Sequence, residues 1–336
     1  MWIGSVDGGN EIGGHEAVEI GYAYTMNLNT SFNGDDNLYV RLKAGDVGGE
    51  GDSVWDIKPT YHISTKDYDD VLTVDKVWYT SSIGDNITYF IGPKIENYYM
   101  YITPSIYQPG ALKSMKLGGN SNFGASTDVG FGFKYETEGG FGFASNVVTK
   151  DGNSNGGMLG KNDVNKWDTQ VAYTTDRWHV SATLSDAQNW TSQSYNATKL
   201  GDIIGDGTED SGDSTGYALR AYWIPDDSGT ATPEISVGYD ISTIDNRPSA
   251  SDETDAYFVG LTWKELFQPD DSIGVAFGQP QTREDEVVDP FMWEAYYSFK
   301  PNDSVTITPA IFGGTDVNGT AGQDVTGAVI ETTFKF

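Results

Sequence analysis

The sequence contains no cysteine, little positive charge and no long apolar run. The absence of cysteine excludes a disulfide scaffold, Cys-ligated metals and thiol chemistry. Lys and Arg number 20 against 49 Asp and Glu, and a net charge of -29 argues against nucleic acid, which requires a basic footprint. No segment approaches the 18 or so apolar residues that a transmembrane helix needs, so any membrane crossing must use shorter elements.

Residues and motifs typical of catalysis are also scarce. The chain has three histidines, His15, His62 and His179. It has no H-E-x-x-H or P-loop motif. We therefore expect no enzymatic activity.

The chain is rich in glycine and aromatic residues, with 41 Gly, 20 Tyr, 15 Phe and 9 Trp. Short alternating runs predict β-strands separated by Gly, Asp, Asn and Pro clusters. The tight clusters are Asn33–Asp36, Ile83–Asn86, Thr137–Gly140, Asp176–Arg177, Asp226–Pro233, Gln268–Asp271 and Pro301–Asp303. The long ones are 46–70, 95–122, 151–163, 189–214, 245–254, 281–290 and 315–324. Short turns at one rim and long loops at the other are typical of outer-membrane barrels.

The last twelve residues, Val325 to Phe336, form an alternating strand that ends on a phenylalanine. This ending resembles the C-terminal signal of bacterial outer-membrane barrels, with the apolar face toward lipid. When the outward-facing residues of the strands are followed to the tight turns, they end on aromatic residues. These residues form a predicted aromatic girdle. It comprises Phe32, Tyr135, Phe141, Trp178, Trp223, Phe299 and Phe336. A soluble β-sandwich or propeller also alternates, but its core face need not end in aromatics beside one class of turn.

Strand parity sets the predicted number of strands. The segment 53–65 has strand character and would make 17 strands. The final strand must end in the periplasm, and counting strands back from it makes 33–36 a periplasmic turn. The segment 53–65 must then belong to the long external loop 46–70. That leaves 16, an even number as in single-chain bacterial barrels. We predict one domain over residues 1–336, a 16-stranded antiparallel transmembrane β-barrel in the outer membrane. Met1-Trp2-Ile3 lacks the features of a signal peptide, so a processed form is expected.

Four segments carry a resemblance to a known family. They are Leu28–Asp46, Leu72–Lys94, Gly110-Ala111-Leu112 and Phe123–Glu136. They resemble the Som-type outer-membrane porins of cyanobacteria, which are relatives of the carbohydrate-selective porin family. The resemblance implies a homotrimeric porin for passive diffusion of ions and small hydrophilic solutes. Family members usually carry an N-terminal S-layer homology domain; nothing before Trp2 matches it, so cell-wall attachment is not expected of this sequence.

The third long loop, 95–122, is predicted to fold inward and narrow the channel, as in the porins that the family resembles. Its candidate constriction residues are Tyr98, Tyr99, Tyr101, Tyr107, Lys113 and Lys116. The alternative is that this loop packs on the rim or against a neighbouring subunit.

The strand alternation also predicts charged and polar side chains on the pore wall. These are Arg41, Lys43, Lys134, Asp168, His179, Arg220 and Glu294. Such groups bind and orient ions, or they pair across the lumen and hold loops in place. The external loops carry most of the acidic residues, which predicts a weak cation preference at low salt that fades as the salt concentration rises.

One loop has part of a calcium motif. Asp151, Asn153 and Asn155 fit the opening of an EF-hand loop, but Asn162 stands where the bidentate Glu belongs. A flexible loop rich in Gly and Asn would have the same residues without binding calcium. No other cofactor is expected.

Two other functions stay open at this point. The tyrosines at 98–107 would suit a sugar-selective channel, in which aromatic rings stack on sugar faces. A structural or adhesive barrel would depend on its acidic external loops rather than on its pore.

Overall fold

The computed structural model describes residues 1–8, 17–47, 56–57, 61–62, 66–67, 70–119, 127–150, 152, 157–160, 163–189, 213–245, 253–317 and 319–336. The first strands are β1 (Trp2–Asp7), β2 (Glu19–Gly21), β3 (Ala23–Thr30), β4 (Asn37–Val47), β5 (Asp56–Ile57), β6 (Tyr61–His62), β7 (Lys66–Asp67), β8 (Thr73–Ile83) and β9 (Ile87–Glu96). Then follow β10 (Thr127–Glu136), β11 (Phe141–Lys150), β12 (Val164–Thr174), β13 (Trp178–Gln188), β14 (Ser214–Trp223) and β15 (Glu234–Ile244). The chain ends with β16 (Glu253–Lys264), β17 (Ser272–Arg283), β18 (Phe291–Asn302), β19 (Val305–Thr315) and β20 (Val325–Phe334).

The strands form one antiparallel sheet in which successive long strands are neighbours. The first strand closes it, because β1 pairs with β20 from Trp2 opposite Glu331 to Asp7 opposite Thr326, and also with β2. Two short 3-10 helices, Asn97–Met100 and Lys113–Gly118, lie between β9 and β10. None of the helices in the described part of the chain is long and apolar enough to cross a membrane.

The barrel has 17 strands where the sequence predicted 16. The difference arises at Tyr22, which separates β2 from β3. The Tyr22 N–H donates to the Asp46 carboxylate at 2.7 Å instead of to a strand carbonyl, so the ladder is interrupted there. The two strands together make the second crossing of the barrel.

The described residues between β4 and β8 add no crossing to the barrel. The two-residue strands β5 and β6 pair with each other in a separate sheet, and β7 pairs only with the end of β4. The parity argument therefore assigned this segment correctly to a loop.

Tight turns and long loops fall at opposite rims, as predicted. The intervals after β3, β8, β10, β12, β14, β16 and β18 lie at one rim and include the shortest, after β18. The intervals after β4, β9, β11, β13, β15, β17 and β19 lie at the other rim and include the longest, after β9. The separation is incomplete, because the interval after β14 is longer than those after β15, β17 and β19. Consecutive antiparallel strands can be joined by short turns, and outer-membrane barrels have these turns at one rim and their longer loops at the other.

Side chains alternate between a covered interior and an exposed apolar exterior. In β13, exposed Trp178, Val180 and Leu184 alternate with buried or polar neighbours. Trp178 lies 6.1 Å from Trp223 on the next strand, ring centroid to ring centroid, at the rim with the tight turns. An apolar outer band that ends in aromatic rings is the surface of a membrane-spanning barrel.

One aspartate holds the first tight turn. Its carboxylate accepts hydrogen bonds from the Ser31 hydroxyl (2.7 Å), the Phe32 N–H (2.8 Å) and the Asn33 N–H (3.1 Å). The Tyr79 hydroxyl donates to its other oxygen at 2.8 Å. Burial opposes ionisation of Asp36, but these donors outweigh it and lower its pKa below the usual value.

We predict that Asp36→Asn destabilises the barrel, because an amide group cannot accept all of these hydrogen bonds. A depressed pKa in the folded state stabilises the protein above the ordinary aspartate pKa, and this stability is lost as the pH falls below that value. The urea midpoint of the parent protein in lipid vesicles should therefore drop on acidification, and that of Asp36→Asn should drop less. Asp35→Asn, in the same turn, is the matched control; an equal effect from both variants would contradict the assignment.

Candidate pore constriction

The described part of the loop between β9 and β10 lies inside the barrel and crosses the lumen. Its described part, residues 97–119, contacts strands from β12 round to β18. Much of it is buried, including Met100, Tyr101, Leu112 and Met115. The prediction of an inward-folded third loop is confirmed, and packing on the outer rim is excluded for the described residues.

A single carboxylate on β18 anchors the middle of this loop. Glu294 Oε1 accepts hydrogen bonds from the Tyr107 hydroxyl (2.8 Å) and the Gly110 N–H (3.0 Å). Its Oε2 accepts from the N–H groups of Ala111 (2.9 Å) and Leu112 (2.7 Å). Glu294 is fully buried, and four donors on one carboxylate offset the cost of removing its charge from water.

Two side chains on β12 anchor the start of the loop. The hydroxyl of Tyr101 and the amide of Asn97 donate to the buried Asp168 carboxylate. The Gln170 amide pairs with the backbone of Ile102 in both directions, accepting at 2.9 Å and donating at 3.1 Å. These hydrogen bonds hold the start of the loop against the barrel wall.

A third anchor lies on β14 and β15. The Arg220 guanidinium donates to the Leu117 carbonyl at 2.8 Å and forms an ion pair with Asp240 at 2.7 Å. The backbone passes so close to the wall that a Cβ on Gly238 would lie 1.9 Å from the Gly118 carbonyl oxygen. Only glycine at Gly238 leaves room for this approach, and Gly118 itself has a positive φ of 75°.

The two anchoring tyrosines of the loop remain neutral donors. Burial, and then the charge of Glu294, raise the pKa of Tyr107. Burial, and then the charge of Asp168, raise the pKa of Tyr101 well above its usual value. Each hydroxyl therefore keeps the proton that its hydrogen bond requires.

A cluster of charged side chains covers the opposite part of the wall, on β4, β8 and β9. Arg41 forms ion pairs with Asp75 and with Glu96 (3.5 Å), and Lys43 lies 3.3 Å from Asp75. The buried Lys76 ammonium also pairs with Glu96. The register between β4 and β8 shifts at Arg41 and Leu42, so that Asp75 and Lys76 both reach this cluster.

Aromatic rings continue from this cluster onto the loop. Ring centroids are 4.3 Å apart for Tyr39 and Trp78, 4.8 Å for Trp78 and Tyr99, and 4.6 Å for Tyr99 and Tyr98. The Lys116 ammonium lies 4.9 Å from the Tyr98 ring centroid. Burial, and then the positive charge of Arg41, lower the pKa of Lys116. The four rings form a continuous column, which we call the aromatic column.

The predicted constriction residues therefore divide into two groups. Tyr98, Tyr99 and Lys116 are partly exposed beside the charged cluster, and Lys113 is partly exposed in the same helix. Tyr101 and Tyr107 are buried, with 3% and 1% of their surface exposed, because Asp168 and Glu294 hold them against the wall. The expectation that these two tyrosines line the open channel is wrong.

The predicted wall residues divide in the same way. Arg41, Lys43 and Lys134 keep part of their surface exposed. The buried residues Asp168, Arg220 and Glu294 instead anchor the loop, as the alternative reading of these charges held. His179 is also buried, stacked on Tyr222 with centroids 4.9 Å apart and within hydrogen-bond distance of Thr174 and Ser181.

Sequence reasoning missed several residues of the site. Lys76 and Trp78 alternate with outward residues of β8, so the period-two pattern was sufficient to place them on the wall. The roles of Asp75 and Glu96 follow from ion pairs between strands, for which the sequence carries no local signal.

The candidate calcium ligands Asp151, Asn153 and Asn155 lie outside the described residues. Among the residues that the structure does describe, no group of three or more His, Asp or Glu side chains is placed to hold a metal ion.

Comparisons with known proteins identify the fold. No family model and no curated protein matches the sequence. The anion-selective porin from Comamonas acidovorans is 10% identical, with a TM-score of 0.66 and coverage of 100% of this chain and 96% of that one. OmpT of Vibrio cholerae in its trimer form is 11% identical, with a TM-score of 0.60 and coverage of 99% and 96%. Salmonella typhi OmpF in complex with daunomycin is 10% identical, with a TM-score of 0.60 and coverage of 100% and 95%. The chain has the barrel fold of outer-membrane porins.

We predict that Glu294→Gln loosens the loop, because the amide turns an NH₂ group toward N–H donors. Hydrogen bonds to a charged acceptor contribute about 1.5–3 kcal/mol each, so the loss should reach about 3 kcal/mol of unfolding free energy. Urea unfolding in lipid vesicles, together with the noise of the open-channel current, measures the effect. Glu331→Gln on β20 is the control, and equal midpoints for the two variants would contradict the anchoring role.

Proposed function

We propose that this protein forms a water-filled channel in a bacterial outer membrane, through which inorganic ions and small hydrophilic solutes diffuse passively. The observation that carries the proposal is the loop anchored across the barrel interior. It leaves Arg41, Lys43, Tyr98 and Tyr99 partly exposed around the remaining passage. A barrel of this size is hollow unless something fills it, and such a loop narrows the lumen without closing it. The function is transport rather than catalysis.

Three such barrels assemble side by side in the proposed form. The similar OmpT structure is named as a trimer, which supports this arrangement. The four Som-like segments support a place among the Som-type porins of cyanobacteria. Membrane lipid surrounds the outer band of the trimer in this proposal.

Ion selectivity should depend on the balance between the acidic residues at the channel mouth and the basic residues on the channel wall. Glu284, Asp285 and Asp289 are exposed in the loop after β17, where they attract cations. The cluster around Arg41 acts in the opposite sense on the wall. The Debye length is about 8 Å at physiological salt and about 3 Å at 1 M, so the mouth should act only at low salt.

We expect single-channel recordings in planar bilayers to show large ohmic steps in threes. Reversal potentials under a salt gradient should show weak cation preference at low salt that fades as the salt concentration rises. A closed lumen without conductance would overturn the proposal and favour a structural or adhesive barrel. An anion preference at low salt would transfer control to the basic residues, including Arg41, Lys43, Lys113 and Lys116.

We predict that Arg41→Gln makes the channel more cation-selective. Removing a unit charge about 4 Å from an ion in water changes its energy by about 1 kcal/mol, or roughly fivefold in permeability ratio at low salt. Arg177→Gln, in a turn at the opposite rim, is the control, because Arg177 pairs with Asp226 and lies outside the lumen. An equal response to both substitutions would exclude a role for Arg41 in selectivity.

A sugar-selective channel is the second candidate, and the aromatic column favours it. Neighbouring aromatic rings beside charged groups form a surface on which sugar faces pack. Saturable block of the ion current by maltotriose would support this function. Tyr98→Ala should then weaken the block at least tenfold, whereas Tyr89→Ala on the outward face should leave it unchanged. Absence of block in the parent protein would exclude it.

A further inference from the structure

One of the two carboxylates that anchor the loop has fewer hydrogen bonds than the other. Both oxygens of Glu294 accept hydrogen bonds, and four donors converge on them. Asp168 is equally buried, yet its two donors, the Tyr101 hydroxyl and the Asn97 amide, both reach Oδ2. No described residue donates a hydrogen bond to Asp168 Oδ1. This oxygen is therefore available to a ligand other than a protein donor.

The charge of Asp168 has no basic partner in the described part of the chain. Arg220, the arginine that anchors the end of the loop, pairs with Asp240 instead. Lys166 occupies the next inward position of β12, and its contacts do not include an ion pair with Asp168. A buried charge is costly unless it is paired, and two neutral donors offset only part of that cost. A positive charge beside Oδ1 would offset the rest.

An amide on the neighbouring strand adds a second oxygen atom at this position. Asn146 of β11 lies directly opposite Asp168 and has only 2% of its surface exposed. Residues that oppose each other in this way have Cβ atoms about 4.5–5.5 Å apart, so both side chains can reach one bound ion. Neither the oxygen nor the nitrogen of the Asn146 amide has a hydrogen-bond partner among the described residues.

The loop itself adds a third oxygen atom. The Tyr101 hydroxyl lies near the Asn146 amide and donates its proton to Asp168. A hydroxyl oxygen has two lone pairs, and the Asn97 amide, at 3.4 Å, uses one of them. The second lone pair remains for a ligand.

We propose that Asp168 Oδ1, the side-chain oxygen of Asn146 and the hydroxyl oxygen of Tyr101 bind one dehydrated alkali-metal cation. Carboxylate, carbonyl and hydroxyl oxygens are hard ligands that replace the water around such ions. One positive charge neutralises the single charge of Asp168, whereas a divalent ion would leave an excess charge buried. The buried Ser185, which lies opposite Asp168 on β13, provides a further hydroxyl oxygen at the same level of the wall.

The cation fastens the start of the loop to the wall. Tyr101 belongs to the loop, whereas Asp168 and Asn146 belong to β12 and β11. An ion bound to all three joins the loop to two strands, so the stability of this attachment depends on the cation in solution. The site does not depend on whether the barrel conducts ions.

Cation-dependent stability tests the proposal. Parent barrels in lipid vesicles are unfolded with urea in sodium chloride, potassium chloride or N-methyl-D-glucamine chloride at equal ionic strength. The bulky organic cation screens charge equally but is too large to enter a site among buried side chains. We expect at least one alkali cation to lower the unfolding equilibrium constant, by about tenfold when its concentration is ten times its Kd. Equal stability in all three salts would overturn the proposal and indicate a buried water molecule at this position.

Two variants assign the effect to these side chains. Asn146→Leu removes one oxygen ligand and should abolish the difference between the salts. Gln170→Leu is the matched control, because it removes another buried wall amide that holds the loop, through Ile102. It should destabilise the barrel in every salt and keep the full cation effect. If Asn146→Leu fails to fold, Asp168→Asn replaces it, since this change removes the charge with little change of shape. A cation effect that survives the loss of Asn146 or Asp168, or that Gln170→Leu also abolishes, would overturn the proposal.

The thallous ion, Tl⁺, locates the site directly, because it carries one positive charge and scatters X-rays anomalously. Crystals of the parent protein grown with thallous acetate should show an anomalous peak between Asp168 and Asn146. Crystals of Asn146→Leu should show none at that position. A parent map without this peak, or an equal peak in the variant, would contradict the assignment.

Discussion

The pairing of backbone groups in a medium without water is the constraint on which this structure depends. A strand surrounded by hydrocarbon must exchange its N–H and C=O groups with neighbours on both sides, and only a closed sheet provides this everywhere. Closure rests on β1, which joins β20 to β2 through a short ladder.

The interior follows a different rule, because the lumen is wide enough for a folded segment of chain. Loop 97–119 brings backbone N–H groups away from solvent, and each must find a partner. The wall supplies these partners through polar side chains at spaced positions, namely Asp168, Gln170, Arg220 and Glu294. Each anchor bonds to loop backbone or to a buried tyrosine, so the loop has one defined path. The side of the wall left uncovered then becomes the passage.

Charge is distributed unevenly over the resulting channel. Among the described residues, Glu284, Asp285 and Asp289 are exposed in the loop after β17, whereas the arginine and lysines on β4 and β8 form ion pairs with Asp75 and Glu96 on the wall. Salt screens the first set more strongly than the second, because exposed charges act through water over longer distances. In the proposed channel, ionic strength should therefore decide which set controls the passing ions.

The sequence by itself determined the strands, their faces and the two kinds of connection. A period of two is a local property, and residues such as Trp178, Val180 and Leu184 show it without reference to any other strand. Tyr22 was beyond that reasoning, because a side chain 24 residues away takes its hydrogen bond and divides a strand. The tertiary structure alone decided which inward residues stay partly exposed and which hold the loop. Tyr107 meets Glu294 across 187 residues, and no local pattern records such a contact. Contacts with distant strands thus separated the partly exposed Tyr98 and Tyr99 from the buried, anchoring Tyr101 and Tyr107, although all four have the same chemistry.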